Sequence, residues 1–195
     1  AARPPEQVKK ISGTFKNSAP GIGYGLTETN ALGAVNAGAF YVARPDSAGR
    51  VVPAVTEFRI ISADGGEQPT GERGELCIKS PANILGYWNK PEATAEAFVD
   101  GWFHTGDIAC LDSDGFLYIV DRIKEIIIRG GENISCIEVE AAIYSHPEIY
   151  EAAVFGLPDE RLGEVVGAAV VLREGAQLTA VELRTYLSEH LAMFK

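Results

Sequence analysis

Two short turns limit what this chain can become. Asp64-Gly65-Gly66 follows the apolar run Glu57-Phe58-Arg59-Ile60-Ile61 and precedes Gly74-Glu75-Leu76-Cys77-Ile78-Lys79. Ser113-Asp114-Gly115 separates Ala109-Cys110-Leu111-Asp112 from Phe116-Leu117-Tyr118-Ile119-Val120. Apolar runs rich in β-branched and aromatic residues around such turns are the pattern of antiparallel hairpins. Residues from about 50 to 120 therefore read as an antiparallel, barrel-like unit whose alternating apolar side chains form its core. Before it, Pro4-Pro5 and the charged stretch to Ile11 read as a short surface helix. The stretch from Gly21 to Gly38, rich in Gly, Ala and Asn, reads as a loop.

The pattern changes after Arg122. Glu125-Ile126-Ile127-Ile128 reads as a strand and Gly130-Gly131 as a turn. Ser135-Cys136-Ile137-Glu138 has the spacing of a capping box and opens a helix to about His146. Residues 151–155 and 165–172 read as strands. Thr179-Ala180-Val181-Glu182, a second capping box, opens a helix to about Leu191. The order strand, helix, strand, strand, helix describes a small α+β domain, with its boundary near Asp121 to Lys124.

Composition removes several functional classes. The net charge of −10 argues against nonspecific nucleic-acid binding, which depends on neutralising phosphates. The three cysteines, Cys77, Cys110 and Cys136, are widely spaced and contain no CxxC pair, so neither a zinc ribbon nor a disulfide framework is expected. No apolar run approaches the length of a membrane-spanning helix. His104, His146 and His190 suggest no metal cluster and no catalytic triad.

Chemistry concentrates in Gly23-Tyr24-Gly25-Leu26-Thr27-Glu28-Thr29. An aromatic ring between glycines can stack on a planar base, a hydroxyl can donate to phosphate, and a carboxylate can hold a hard cation. Read alone, the segment is equally an ordinary loop. Three further segments follow: Gly101-Trp102-Phe103-His104-Thr105-Gly106-Asp107, Ile119-Val120-Asp121-Arg122-Ile123-Lys124-Glu125 and Arg129-Gly130-Gly131-Glu132-Asn133-Ile134.

In this order the four segments, together with Gly86-Tyr87-Trp88-Asn89-Lys90-Pro91-Glu92-Ala93-Thr94, resemble the motifs of the adenylate-forming superfamily of acyl-CoA synthetases, luciferases and peptide-synthetase adenylation domains. The resemblance covers nearly the whole chain. It implies an α+β protein: residues 1–121 as the C-terminal part of a large nucleotide- and acyl-binding domain, then a hinge, then residues 122–195 as a small, incomplete lid domain. The family's Ser/Thr/Gly-rich phosphate loop and its C-terminal catalytic lysine have no counterpart in the sequence. The chain is thus expected to be an internal fragment, inactive by itself.

The implied reaction is ATP-dependent acid–thiol ligation, with ATP, Mg²⁺ and CoA. Tyr24 would stack on adenine, with Gly25 beside it. Thr27 would bond the α-phosphate, and Glu28 would hold Mg²⁺. Asp107 and Arg122 would take the ribose, and Lys124 would be the hinge. Gly130, Gly131 and Glu132 would line the path of CoA, a plain β-turn being the alternative. Trp102 is expected to pack. The implied substrate is a medium- or long-chain fatty acid; aryl and amino acids, or a non-catalytic module on the same scaffold, stay open. The expected location is cytoplasmic, with peripheral membrane contact as a variant.

Overall fold

The computed structural model describes residues 5–15 and 19–195, and the side chains from Val8 onward. The chain divides into two compact units, one ending at Val120 and one running from Asp121 to Lys195.

The first unit is built on one sheet. Its elements are α1 (Pro5–Thr14), β1 (Gly21–Tyr24), β2 (Ala34–Ala37), α2 (Gly38–Ala43), β3 (Gly49–Val51), β4 (Glu57–Ile61), β5 (Gly74–Lys79), α3 (Pro91–Ala97), β6 (Phe98–Val99), β7 (Trp102–Leu111) and β8 (Phe116–Arg122). The strand order is β1-β2-β3-β8-β7-β5-β4, with β6 paired to β7. Among the described residues this is an open sheet rather than a closed barrel, and it begins well before residue 50. Ile60, Leu76, Ile78, Ala109 and Leu117 form its core. Burying a Leu or Ile side chain is worth about 1.5–3 kcal/mol.

Both hairpins form. Phe58 faces Ile78 and Ile60 faces Leu76 across β4 and β5. At the other turn, the Asp112 carboxylate accepts the N–H groups of Asp114 and Phe116, each at 2.9 Å. The side chain thereby closes the turn alongside the backbone, where the Asp112 N–H donates to the Phe116 carbonyl at 3.0 Å and the Gly115 N–H to the Asp112 carbonyl at 2.9 Å.

The segment 21–38 corrects the loop reading. It holds β1 and β2, paired Gly21 to Ala37 through Tyr24 to Ala34, and α2 begins at Gly38. Gly and Ala carry almost no strand signal of their own; pairing with a neighbour decides their conformation. The predicted helix near the N-terminus is α1; Pro4 lies outside the described residues.

The second unit has β9 (Ile127–Arg129), β10 (Glu132–Ile134), α4 (Cys136–Tyr144), β11 (Ile149–Asp159), β12 (Gly163–Leu172) and α5 (Ala180–Ser188), with sheet order β10-β9-β12-β11. Helix α4 buries Cys136, Val139 and Ile143 against Ile127, Ile134 and Ile149. The Thr179–Glu182 capping box is complete in both directions. At α4 only half of it forms: Ser135 accepts the Glu138 N–H, while the Glu138 carboxylate turns to the Lys195 ammonium. Strand β10 was not expected, and Glu125, expected to open a strand, instead ends a 3-10 turn over Ile123–Glu125, the strand itself beginning at Ile127.

Candidate nucleotide site

Strand β1 delivers Tyr24 to its end, and the chain then folds into a 3-10 turn over Thr27–Thr29. The two threonines divide the work. Thr29 is fully buried, and its hydroxyl accepts from the Leu26 N–H and donates to the Leu26 carbonyl, both at 3.1 Å. Thr27 is exposed. Asn30 and Ala31 follow with φ of 48° and 60°, a left-handed pair that non-glycine residues adopt at a cost.

The turn is fastened to the segment before α3. Asn30 Nδ2 donates to the Ala82 carbonyl at 2.6 Å, and the Ile84 N–H donates to the Glu28 carbonyl at 2.8 Å. The Tyr87 hydroxyl donates to Glu28 Oε1 at 2.9 Å. Burial, then that bond and the Glu28 charge, push the Tyr87 phenol up, so it stays a donor. Gly25 has a reason of its own to be glycine. A Cβ there would lie 2.3 Å from the Ala31 carbonyl oxygen, so the turn's own backbone fills the space expected for a ligand.

Asp107 reaches the same place from β7. It is 3% exposed, and its Oδ2 accepts the Tyr24 hydroxyl at 2.5 Å, across 83 positions of sequence. Opposite β5, β7 carries an irregularity: Glu75 pairs with Ile108, but Cys77 pairs with His104. Gly106, at φ 71°, lies within it. Trp102 packs beneath the guanidinium of Arg59, 4.3 Å from the ring centroid.

Glu75, Cys77 and His104, which showed no relation in the sequence, put an oxygen, a sulfur and a nitrogen within 4.8 Å of one another. Burial first, then the Glu75 charge, pushes the Cys77 thiol up to about 12, against a downward pull from Arg59. A thiol so protonated belongs to a hydrogen-bonded cluster, in which His104 Nδ1 lies 3.0 Å from Glu75 Oε2 and 3.7 Å from Cys77 Sγ.

The first unit thus brings together Tyr24, Gly25, Thr27, Glu28 and Asp107. The remaining predicted residues lie in the second unit, from Asp121 onward. Arg122 is exposed and sits 3.9 Å from Glu125, and Lys124 is exposed in the 3-10 turn. Gly130 and Gly131, at φ 60° and 91°, form the two-residue turn between β9 and β10, and Glu132 opens β10. Two successive positive φ values are what a tight hairpin turn demands, so turn geometry alone accounts for both glycines. Glu75 and Tyr87 escaped the sequence reading. Their partners lie 31 and 59 positions away, beyond any local signal.

The AMP-binding enzyme family matches residues 1–88, and the AMP-binding enzyme C-terminal domain matches residues 138–195. The chain is 43% identical over 173 residues to a feruloyl-CoA synthase of Amycolatopsis sp, covering 89% of this chain and 35% of that protein. It superimposes on o-succinylbenzoate CoA synthetase (MenE) of Bacillus subtilis, solved with the acyl-adenylate intermediate OSB-AMP. The TM-score is 0.89 and the identity 34%, over 100% of this chain and 39% of the other. ATP-bound MatB of Rhodopseudomonas palustris gives a TM-score of 0.88 and 33% identity, over 98% and 38%. The chain spans about a third of the length of the curated relatives it matches. It belongs to the AMP-binding, adenylate-forming enzyme family.

Proposed function

We propose that this chain is the nucleotide-handling part of an ATP-dependent acid–thiol ligase, an acyl-CoA synthetase. In such a reaction a carboxylate attacks the α-phosphate of ATP, giving acyl-AMP and pyrophosphate. The thiol of CoA then displaces AMP. One observation carries the reading: Tyr24 and Asp107, candidates for base and ribose, meet through a 2.5 Å hydrogen bond beside the turn that presents Thr27 and Glu28. An aromatic ring touching a carboxylate matches a base joined to a ribose.

In this reading Tyr24, flanked by Gly25, carries adenine on its half-exposed ring. The carboxylate of Asp107 accepts from the ribose hydroxyls, with Arg122 as a second ribose contact. The exposed Thr27 hydroxyl donates to the α-phosphate. Bringing a carboxylate against phosphates sets anion against anion, and positioned donors offset that repulsion. Glu28 is half-buried and holds Tyr87 through one oxygen, and a single carboxylate with phosphate oxygens and water suits Mg²⁺. When bound, that ion would screen the phosphate charge. Lys124 is the hinge between adenylation and thioester formation. Its exposure suits a residue whose dihedrals change without losing a buried contact. Gly130, Gly131 and Glu132 form the hairpin tip that meets CoA. Residues 1–121 then belong to the large domain and 122–195 to the lid.

Medium- or long-chain fatty acids remain the proposed substrates, on the likeness of residues 83–88 and 127–133 to that branch. The relatives named for feruloyl and o-succinylbenzoyl groups support aryl acids as the competing class. A cytoplasmic location belongs to the same proposal. Among the described residues no helix is long and apolar enough to cross a membrane.

The test is carboxylate-dependent exchange of pyrophosphate into ATP, alongside direct AMP binding. This chain would be compared with the same chain joined to the remainder of the Amycolatopsis feruloyl-CoA synthase, over short, medium, long and aryl acids. Exchange by the joined protein supports the ligase. AMP binding without exchange for any acid favours a non-catalytic module on the adenylation scaffold. Absence of AMP binding from both refutes the nucleotide site.

A further inference from the structure

We infer that Glu75 positions the nucleotide's ribose, acting through the bulge of β7 that carries Asp107, with His104 as its partner. The inference rests on the ribose reading of Asp107.

Glu75 faces Ile108 and Cys77 faces His104, so between these pairs β5 has one residue, Leu76, where β7 has three, Thr105, Gly106 and Asp107. The surplus residues leave the ladder, and their backbone groups need other partners. Glu75 supplies them on one side. Its Oε1 accepts the Gly106 N–H at 3.1 Å, and its Oε2 meets His104 Nδ1 at 3.0 Å. Thr105 closes the other side, donating its hydroxyl to the Leu76 carbonyl at 2.8 Å and accepting the Asp107 N–H at 3.0 Å. One carboxylate therefore grips the bulge both at its entry and within it. The Glu75 and His104 side chains are only 19% and 26% exposed, which strengthens a charge-assisted bond and leaves few waters to replace it. A bulge re-aims a side chain, and here the re-aimed one is Asp107, brought onto the Tyr24 hydroxyl.

A residue that only stabilises the sheet would, on removal, weaken every nucleotide alike. A residue that positions Asp107 would weaken only nucleotides that carry ribose hydroxyls. Affinities for AMP and 2′,3′-dideoxy-AMP separate the two roles. The unsubstituted chain should prefer AMP by about tenfold or more, the usual worth of hydrogen bonds to a charged group. Asp107→Ala should abolish that preference. Glu75→Ala should cut it to about threefold or less while dideoxy-AMP affinity holds, and Glu75→Gln, which keeps an acceptor for Gly106, should restore most of it.

Full preference in Glu75→Ala, or equal loss for both nucleotides, overturns the positioning role. Should Glu75→Ala fail to fold, His104→Ala decides: a preference reduced by about threefold supports the inference, and an unchanged one overturns it. The same comparison is made in the joined protein, and equal binding, or none, by both unsubstituted proteins overturns the ribose reading of Asp107, and the positioning role falls with it.

Discussion

Candidate residues are held in opposite ways in the two units. In the first, side chains grip one another over long stretches of sequence: Tyr24 with Asp107, Tyr87 with Glu28, His104 with Glu75. In the second, Lys124, Gly130, Gly131 and Glu132 are exposed, and a hairpin ladder of three residue pairs carries the turn. Gripped groups suit a task that demands fixed geometry, such as orienting phosphate and ribose. Exposed groups on a short hairpin suit a task that demands movement. The same residue type records the difference. Gly25 is glycine because backbone crowds it; Gly131 is glycine because of its φ of 91°, with open space around it.

Substitutions can break this contrast or sharpen it. The largest effect is expected at Gly25→Ala. With the Ala31 carbonyl 2.3 Å from the new Cβ, the turn must shift, at a cost of about 2–3 kcal/mol. Thermal or denaturant melting reads the stability, and AMP affinity should fall with it. Gly131→Ala meets no atom but places an L side chain at positive φ, a cost of about 1–2 kcal/mol. It should leave AMP affinity unchanged; equal damage to AMP binding by both variants would erase the distinction drawn between the units.

Acid should reach the second unit through its caps. The N–H groups of Leu162 and Arg161 hold the Asp159 carboxyl below its ordinary value, and the N–H and then the hydroxyl of Thr179 do the same for Glu182. Because the folded pKa lies below the unfolded one, this stabilisation is complete above the ordinary carboxylate range, about pH 4, and fades as pH falls through the folded value. Glu182→Gln should therefore lower the melting temperature at neutral pH, and its difference from the parent should shrink steadily as the pH falls below the ordinary carboxylate range. A difference that persists undiminished there would show that the capping carboxylate is not the cause. The smallest effect is expected from Lys124→Ala, which should change stability by less than about 0.5 kcal/mol. If Lys124 is the hinge, ligation by the joined protein should slow while AMP affinity stays the same.

How much could be read from sequence follows from how local each signal is. The Thr179 box was legible in full, because its donors and acceptors lie within four residues. The Ser135 box was half legible, because Lys195, 57 positions on, captures the Glu138 carboxylate. Tyr24, Thr27, Glu28 and Asp107 were picked out by motif, and the first unit brings them together. Which partners hold them was not legible: Tyr87 and Glu75 are ordinary residues until the sheet folds. Strands β1 and β2 were hidden by their small residues, whose conformation is imposed by pairing rather than by their own preference.

The Tyr24–Asp107 bond also sets a clock. It closes a loop of 83 positions, an entropic cost that must be met before the contact can repay it. During refolding or synthesis, Tyr24 on β1 cannot meet Asp107 until β7 has joined the sheet. Under the proposed nucleotide role, ligand capture here reports a finished topology: in a stopped-flow refolding experiment, capture of a fluorescent AMP should trail the backbone signal instead of rising with it.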